Sequence, residues 1–173
     1  NVDMAESERW LSMFSAASGS SAEFALADIL QKSYRSDEER RTAVEWMKRA
    51  ADHGSIQAMF QLGTIYRDGI GVPMDSVEAA RCFDKASERG HVSSMFELGM
   101  MYFRGNGVQR DIGKAFGLMS RASEFGNANA RYNLGVMYRD GIGIQPDRAE
   151  AARLFRMAAE FGNRDAVLAL SKL

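Results

Sequence analysis

The sequence predicts an all-α solenoid built from 36-residue helix-turn-helix repeats, and three observations support this prediction. Residues of the same type recur every 36 positions without an insertion. Each repeat holds two segments with apolar residues at helical spacing, and a glycine-containing loop separates the two segments. The clearest series in phase are Gly54, Gly90, Gly126 and Gly162; Leu62, Leu98, Leu134 and Leu170; and Tyr66, Tyr102 and Tyr138.

The periodicity divides the chain into four repeats within a single repeat domain, 1–173. Repeat 1 is degenerate, because Gly63 and Tyr66 of repeat 2 correspond there to Ala27 and Leu30. Shorter segments at the two ends match half of a repeat each, and we expect them to pack as terminal helices. The predicted boundaries are 5–18 for the first half-repeat helix, 19–54, 55–90, 91–126 and 127–162 for repeats 1 to 4, and 163–173 for the terminal helix.

Each repeat contains two predicted helices, which we call helix A and helix B. In repeat 2, Leu62 and Tyr66 recur at helical spacing in helix A, while Ala79 and Phe83 do so in helix B. A pair of helices cannot bury its apolar stripe alone, so neighbouring repeats are expected to stack into one continuous core. Small residues let helices approach closely, and three glycines in phase are predicted to lie where helices A and B touch: Gly63, Gly99 and Gly135.

The loop residues predict where each helix begins and ends. Gly69 is expected to close helix A of repeat 2 in the left-handed conformation. Asp75 is expected to cap helix B, with Glu78 three residues later completing a capping box. The glycine that closes each repeat ends helix B for the same steric reason. The pairs that correspond to Asp75 and Glu78 are Asp147 with Glu150 in repeat 4, and Ser36 with Glu39 in repeat 1.

Composition excludes several classes of partner. The formal net charge is −1, from 22 basic and 23 acidic side chains, so charge alone does not favour nucleic acid or an anionic membrane. No apolar run is long enough to span a bilayer, and a single cysteine, Cys82, rules out an internal disulfide. We expect a soluble protein and leave its compartment open between the bacterial periplasm and the cytoplasm. Because residue 1 is Asn, we expect a processed form or an excised fragment.

No motif predicts catalysis, a metal or a cofactor. The loop Gly69-Ile70-Gly71 and its copies lack the preceding strand and the further residues of a phosphate-binding loop. His53 and His91 occupy different repeat positions and have no second ligand at metal-binding spacing. Cys82 is in phase with leucines of later repeats, which predicts apolar packing. We therefore expect a non-enzymatic protein with no catalytic residues, no metal site and no cofactor.

Three segments resemble the Sel-1-like repeat, a relative of the tetratricopeptide repeat. They are AMFQLGTIYRDGIGVPMDSVEAARCFDKASERG, SMFELGMMYFRGNGVQRDIGKAFGLMSRASEFG and ARYNLGVMYRDGIGIQPDRAEAARLFRMAAEFG. The resemblance implies a right-handed αα-superhelix that serves as an adaptor or scaffold for proteins. Some cysteine-rich relatives have been linked to penicillin binding, from which this chain departs because Cys82 is its only cysteine. The leading hypothesis is a protein-interaction scaffold. The alternatives are a penicillin-binding or β-lactamase-like enzyme and a spacer module of a larger signalling protein.

Similarity to the tetratricopeptide repeat also implies which residues line the concave face. They are positions of helix A, and we expect them to bind a polypeptide or a partner domain rather than nucleic acid or membrane. Phe24, Phe60, Phe96 and Tyr132 form one aromatic row, and an open alternative is that this row packs between adjacent repeats. The predicted partner-binding residues are Phe60, Arg67, Phe96, Met100, Phe103, Tyr132, Val136 and Arg139.

Overall fold

A computed structural model describes residues 21, 24, 25, 27, 28 and 36–173, and every regular element from residue 36 onward is an α-helix. The all-α fold class of helical repeats is thus confirmed. The terminal segment 163–173 contains the last helix, whereas the predicted half-repeat helix 5–18 lies outside the described residues. The helices are α1 Asp37–Asp52, α2 Ile56–Asp68, α3 Ser76–Glu88, α4 Val92–Arg104, α5 Ile112–Glu124, α6 Ala128–Asp140, α7 Arg148–Glu160 and α8 Arg164–Leu170.

The helices belong to two compact units, Asn1–Arg89 and Gly90–Leu173. In the N-terminal unit, α1, α2 and α3 pack around a core that includes Trp46, Met47, Leu62 and Ile65. In the C-terminal unit, α4 to α8 pack in sequence, and the helices of each A–B pair, α4 with α5 and α6 with α7, make the most extensive contacts. Repeats 2, 3 and 4 are therefore helical hairpins whose apolar faces meet neighbouring helices within the same unit.

Glycine ends helix A as the sequence predicts. Gly69, Gly105 and Gly141 have φ values of 70°, 75° and 69°, in the left-handed region, and each backbone N–H donates to the carbonyl four residues earlier. A side chain at these positions would strain the backbone, because L-residues other than glycine rarely adopt a positive φ. This geometry turns the chain into the A–B loop at the same point in repeats 2, 3 and 4.

Aspartate begins helix B, as predicted for Asp75 and Asp147. The Asp75 carboxylate accepts hydrogen bonds from the backbone N–H groups of Val77 and Glu78, at 3.0 Å each. The Asp147 carboxylate accepts from the Glu150 N–H at 2.9 Å. Ser36 caps α1 in the same way, accepting from the Glu39 N–H at 3.2 Å. These caps satisfy amide groups that have no partner inside the helix.

The reciprocal half of the capping box does not form in repeats 2 and 4, so that part of the prediction is wrong. The backbone N–H of Asp147 donates to the carbonyl of Tyr138 at 2.8 Å, because the A–B loop folds back onto the end of helix A. With that N–H already bonded, the Glu150 carboxylate instead pairs with Arg153 at 2.6 Å. Glu78 likewise pairs with Arg81 in repeat 2.

Helices A and B touch at the three predicted glycines. A β-carbon on Gly63 would lie 2.5 Å from the Phe83 ring, and one on Gly135 would lie 2.6 Å from the Phe155 ring. Gly99 is less crowded, since its nearest neighbour would be Cγ of the flexible Met119 at 3.2 Å. The three glycines are therefore part of the helix A–B contact in repeats 2, 3 and 4.

Candidate partner-binding site

The predicted site residues all lie on A-type helices. Phe60 and Arg67 are on α2 in the N-terminal unit. The other six are on α4 and α6 in the C-terminal unit, and we call them the A-helix stripe. The A-helix stripe comprises Phe96, Met100, Phe103, Tyr132, Val136 and Arg139.

Every residue of the A-helix stripe is half-buried. Neighbouring apolar residues of the same helices, such as Leu98 and Met101 on α4 and Leu134 and Met137 on α6, are fully buried. Each helix thus has one face closed within the core and a second apolar face that solvent still reaches. Apolar side chains that are packed on one side and open on the other are suited to bury further surface against a partner.

The aromatic row contributes to the packing within repeats. Phe60 packs against Phe83 with ring centroids 5.9 Å apart. Tyr132 packs against Phe155 with centroids 5.7 Å apart. In each case the first ring is on helix A and the second on helix B of the same repeat. The Phe60 and Tyr132 rings therefore have a structural function within their own repeats. Phe96 packs against a cluster that includes Ala130 of the next repeat, as in the alternative considered for this row.

The centre of the A-helix stripe also rests on the core. Met100 and Phe103 pack against a cluster of four buried residues from α5, α6 and α7. Val136 packs against a separate cluster around Phe155. Truncation of a stripe residue therefore removes core contacts as well as exposed surface. The cluster beneath Met100 and Phe103 consists of Met119, Leu134, Met137 and Leu154.

The two arginines of the predicted site are held by adjacent aspartates. Arg67 donates to both carboxylate oxygens of Asp68, at 2.8 and 2.9 Å, and Arg139 does so with Asp140 at 2.7 and 2.8 Å. Hydrogen bonds from these guanidinium groups lower the pKa of Asp68 and of Asp140. A partner carboxylate would thus have to compete with an existing two-pronged ion pair.

Comparison with known proteins identifies the repeats. The model of the Sel1 repeat matches residues 20–55, 56–91, 92–127 and 128–163, which is well over half of the chain. The chain belongs to the Sel1 repeat family. Proteins with this repeat generally act as protein-interaction modules and are typically non-enzymatic scaffolds.

Solved structures show the same architecture. A Sel1 repeat protein from Oxalobacter formigenes is 28% identical, and the match covers 91% of this chain and 64% of that one, with a TM-score of 0.81. A protective antigen from uropathogenic Escherichia coli strains is also 28% identical, with 99% of this chain and 37% of that one covered and a TM-score of 0.87. The chain thus spans less than two thirds of either structure. No curated protein matches the sequence.

Cys82 and His91, which were considered above as a reactive thiol and a metal ligand, both have a structural setting in this Sel1 repeat chain. Cys82 is buried, and burial raises the pKa of its thiol to about 11, so the reactive thiolate is disfavoured. His91 caps α4, where its Nδ1 accepts from the Ser94 N–H at 3.2 Å, and burial lowers the pKa of His91.

Within residues 36–173 and the five described before them, no cluster of three or more His, Cys, Asp or Glu side chains could hold a metal ion. None of the helices described is both long and apolar enough to cross a bilayer.

Two arginines donate hydrogen bonds to carbonyl groups at the ends of B helices, and neither was predicted from the sequence. Arg89 Nη1 donates to the carbonyl of Gly54, just after α1, at 3.3 Å. Arg131 Nε donates to the carbonyl of Ser123, near the end of α5, also at 3.3 Å. Carbonyls at helix C-termini lack intrahelical partners and attract cations. The signal was in the periodicity, because position 131 is in phase with Met59 and Met95 and so stands out as a charge at a buried apolar position.

Proposed function

We propose that this Sel1 repeat chain is a non-enzymatic scaffold that binds a polypeptide segment or a partner domain on the faces of its A helices. In the C-terminal unit, the surface proposed for binding is the A-helix stripe. The observation that carries the proposal is the half-buried apolar stripe on α4 and α6, beside helix faces that are already fully buried.

The pattern of variation along the repeats supports the same surface. One residue that holds the helices together keeps its type in repeats 2, 3 and 4, where it is Leu62, Leu98 and Leu134. By contrast, the position of Phe103 is occupied by Arg67 and Arg139 in the flanking repeats. A buried contact that recurs in every repeat favours one type of side chain at equivalent positions, whereas recognition of a particular partner favours different ones.

Met100 and Phe103 are the proposed anchors of the C-terminal unit. Both lie on α4, both are half-buried, and both rest on the same buried cluster, which fixes their position before a partner arrives. Anchors held in place by packing lose little conformational entropy on binding. The adaptable thioether of Met100 beside the rigid ring of Phe103 suits an apolar side chain of a partner.

The test exploits residues that equivalent positions already accept. Met100 corresponds to Thr64, and Phe103–Arg104 corresponds to Arg67–Asp68. The triple variant Met100→Thr, Phe103→Arg and Arg104→Asp therefore gives α4 the residues that α2 carries at these three positions. We expect it to fold and to bind a partner recovered from the native host by affinity purification about thirtyfold more weakly, which corresponds to about 2 kcal/mol. Titration calorimetry measures the affinity.

The matched control is Phe125→Arg. Phe125 is 65% exposed and lies at the end of α5, and the equivalent position in repeat 2 is Arg89. This change also replaces an accessible phenylalanine by arginine, but outside the A-helix stripe, so affinity should be unchanged. Full affinity in a folded triple variant, or an equal loss in the control, would exclude the A-helix stripe as the binding surface.

A further inference from the structure

The last residue of helix A carries a positive charge in repeat 3 and a negative charge in repeats 2 and 4. Repeats 2 and 4 end helix A with an arginine–aspartate pair, in which Asp68 and Asp140 neutralise the preceding arginines. In repeat 3 the aspartate is replaced by Arg104, and the preceding residue is Phe103. Local neutralisation is thus lost in repeat 3, and an exposed cation lies next to a proposed anchor.

The start of helix B in repeat 3 is altered in the same direction. Repeats 2 and 4 carry Glu78 and Glu150 here, each paired with an arginine three residues later. Repeat 3 carries Lys114 instead, and the residue three positions later is Gly117. Arg110, in the loop between the two helices, adds a further cation where repeat 4 has Pro146.

The three cations of repeat 3 lie at the same end of its helix pair, and we call them the cationic edge. Arg110 Nε donates to the carbonyl of Phe103 at 3.1 Å, which places it at the end of α4 next to Arg104. Lys114 Nζ lies 5.1 Å from the centre of the Tyr102 ring, at the same end of the helix. The cationic edge consists of Arg104, Arg110 and Lys114, all of which are exposed.

No side chain of the cationic edge forms an ion pair with a carboxylate of the described residues. Asp111 is adjacent in sequence, but its carboxylate caps α5 by accepting from the Lys114 backbone N–H at 2.9 Å. A single cation at a helix C-terminus is stabilised by the helix dipole. The helix dipole therefore accounts for one cation but not for three, in a chain whose net charge is −1.

We propose that the cationic edge, together with Met100 and Phe103, binds an acidic peptide segment of a partner protein. Carboxylates of the segment would pair with the cationic edge, while an apolar side chain a few residues away would rest on Met100 and Phe103. This inference rests on the proposed function and specifies the chemistry of the partner. Guanidinium groups bind carboxylates through two parallel hydrogen bonds, which gives orientation as well as attraction.

An acidic peptide fits these observations better than a nucleic acid does. Nucleic-acid binding relies on neutralising a series of backbone phosphates, and proteins that use it carry extended basic surfaces. The cationic edge has three side chains, and it adjoins the apolar residues Met100 and Phe103. Neighbouring apolar and basic groups favour a peptide that carries both kinds of side chain.

The experiment is selection of a displayed library of random peptides on the whole chain, and on the variant Arg104→Asp/Lys114→Glu. These substitutions give repeat 3 the residues found at the equivalent positions of repeats 2 and 4, so the fold accommodates them. The control variant is Arg121→Glu/Arg156→Asp, which changes the charge equally at two exposed arginines on α5 and α7. Binding of the selected peptides is then titrated by fluorescence anisotropy.

We expect Asp and Glu to be enriched in peptides selected on the native chain and on the control, and not on the charge-reversed variant. Replacing Glu by Gln in the best peptide should weaken its binding about tenfold, and added salt should weaken it further. Peptides without acidic enrichment, or equal affinity for the charge-reversed variant, would overturn the proposal. So would a single-stranded oligonucleotide that binds as tightly as the best peptide and fails to bind the charge-reversed variant.

The result separates this inference from the proposed function. Neutral peptides that lose binding in the Met100→Thr, Phe103→Arg and Arg104→Asp variant would support the A-helix stripe and refute the acidic partner. Acidic peptides that bind this triple variant as tightly as the native chain would refute both, since the triple variant also lacks Arg104. Failure to select any peptide above background would count against both.

Discussion

The ring of Phe155 occupies the space that a side chain on Gly135 would need. A β-carbon on Gly135 would lie 2.6 Å from Cε1 of Phe155, closer than real β-carbons approach other atoms. Phe155 is fully buried and packs in turn against Tyr132 at 5.7 Å, so its ring cannot withdraw without disturbing the helix A–B contact. The pair therefore fixes how closely α6 approaches α7.

Gly135→Ala should destabilise the chain by about 1–3 kcal/mol, because the added methyl group overpacks this contact. Gly99→Ala should cost less, since Met119 can rearrange where Phe155 cannot. Chemical denaturation measures both changes. Gly117→Ala is the control: it lies on the exposed face of α5 with open space around it, and should stabilise by about 0.5–1 kcal/mol. Equal costs at Gly135 and Gly99 would contradict the assigned role of Phe155.

Asp147→Ala should cost about 1 kcal/mol through loss of the α7 N-cap. Glu150→Gln should cost clearly less at neutral pH, because the Glu150 side chain pairs with Arg153 and does not complete a capping box. Comparing the denaturation midpoints of the two variants checks this order. A larger loss in Glu150→Gln than in Asp147→Ala would mean that the ion pair with Arg153 stabilises α7 more than the N-cap does.

Stability should depend on pH through Glu150. Hydrogen bonding from Arg153 lowers the pKa of Glu150 in the folded chain. Its contribution to stability is therefore fully present above the unfolded-state pKa and is lost as the pH falls through the lowered folded-state pKa. Denaturation measured across the acidic range should show a smaller pH dependence in Glu150→Gln than in the native chain. An unchanged pH profile would show that the pair with Arg153 does not form in solution.

Arg131→Met should leave stability unchanged or increase it. Arg131 is only 7% exposed, and its Nη1 has no hydrogen-bond partner in the described residues. Met59 and Met95 occupy the equivalent positions, so a methionine fits, and an apolar side chain avoids burying an unpaired cation. Arg131→Ala, which also leaves a cavity, should destabilise. A marked loss in Arg131→Met would mean that the bond to Ser123, or the contact with the Phe161 ring, stabilises the fold more than burial of the charge costs.

Cys82 should resist alkylation while the chain is folded. Its thiol is buried, and its pKa of about 11 leaves very little thiolate at mildly alkaline pH. Iodoacetamide labelling followed by mass spectrometry should be at least about tenfold slower in the native chain than in denaturant. Equal rates would show that α3 opens readily or that the thiol is accessible.

Most of the fold could be predicted, because it depends on chemistry that recurs at one spacing. Gly69 and Asp75 act through their own backbone and side-chain geometry, so their positions alone indicate where helices end and begin. The capping box failed because it requires the N–H of Asp75 to be available. The carbonyl of Tyr66, nine residues earlier, accepts that N–H, and no local rule anticipates this fold-back.

The candidate site was less predictable, because it depends on how side chains pair. The sequence predicts Arg67 and Arg139 as partner-binding residues, yet adjacent aspartates hold both. Residues next to each other on a helix do not normally face one another, so the pairing escaped notice, although the Tyr-Arg-Asp-Gly sequence recurs in repeats 2 and 4. In repeat 3 the corresponding sequence contains Phe103–Arg104 in place of Arg-Asp, and this replacement is the sequence feature that indicates the cationic edge.

The close packing of helices that follow one another along the chain has a consequence for biosynthesis. In the C-terminal unit, α4 packs on α5 and α6 on α7, so each hairpin forms from residues made close together in time. Contacts at short sequence separation close at low entropic cost and form quickly. A hairpin of this kind could fold soon after leaving the ribosome, before the last repeat is translated. The nascent chain would then expose the apolar stripe of its most recent hairpin only until the next repeat is translated and covers it.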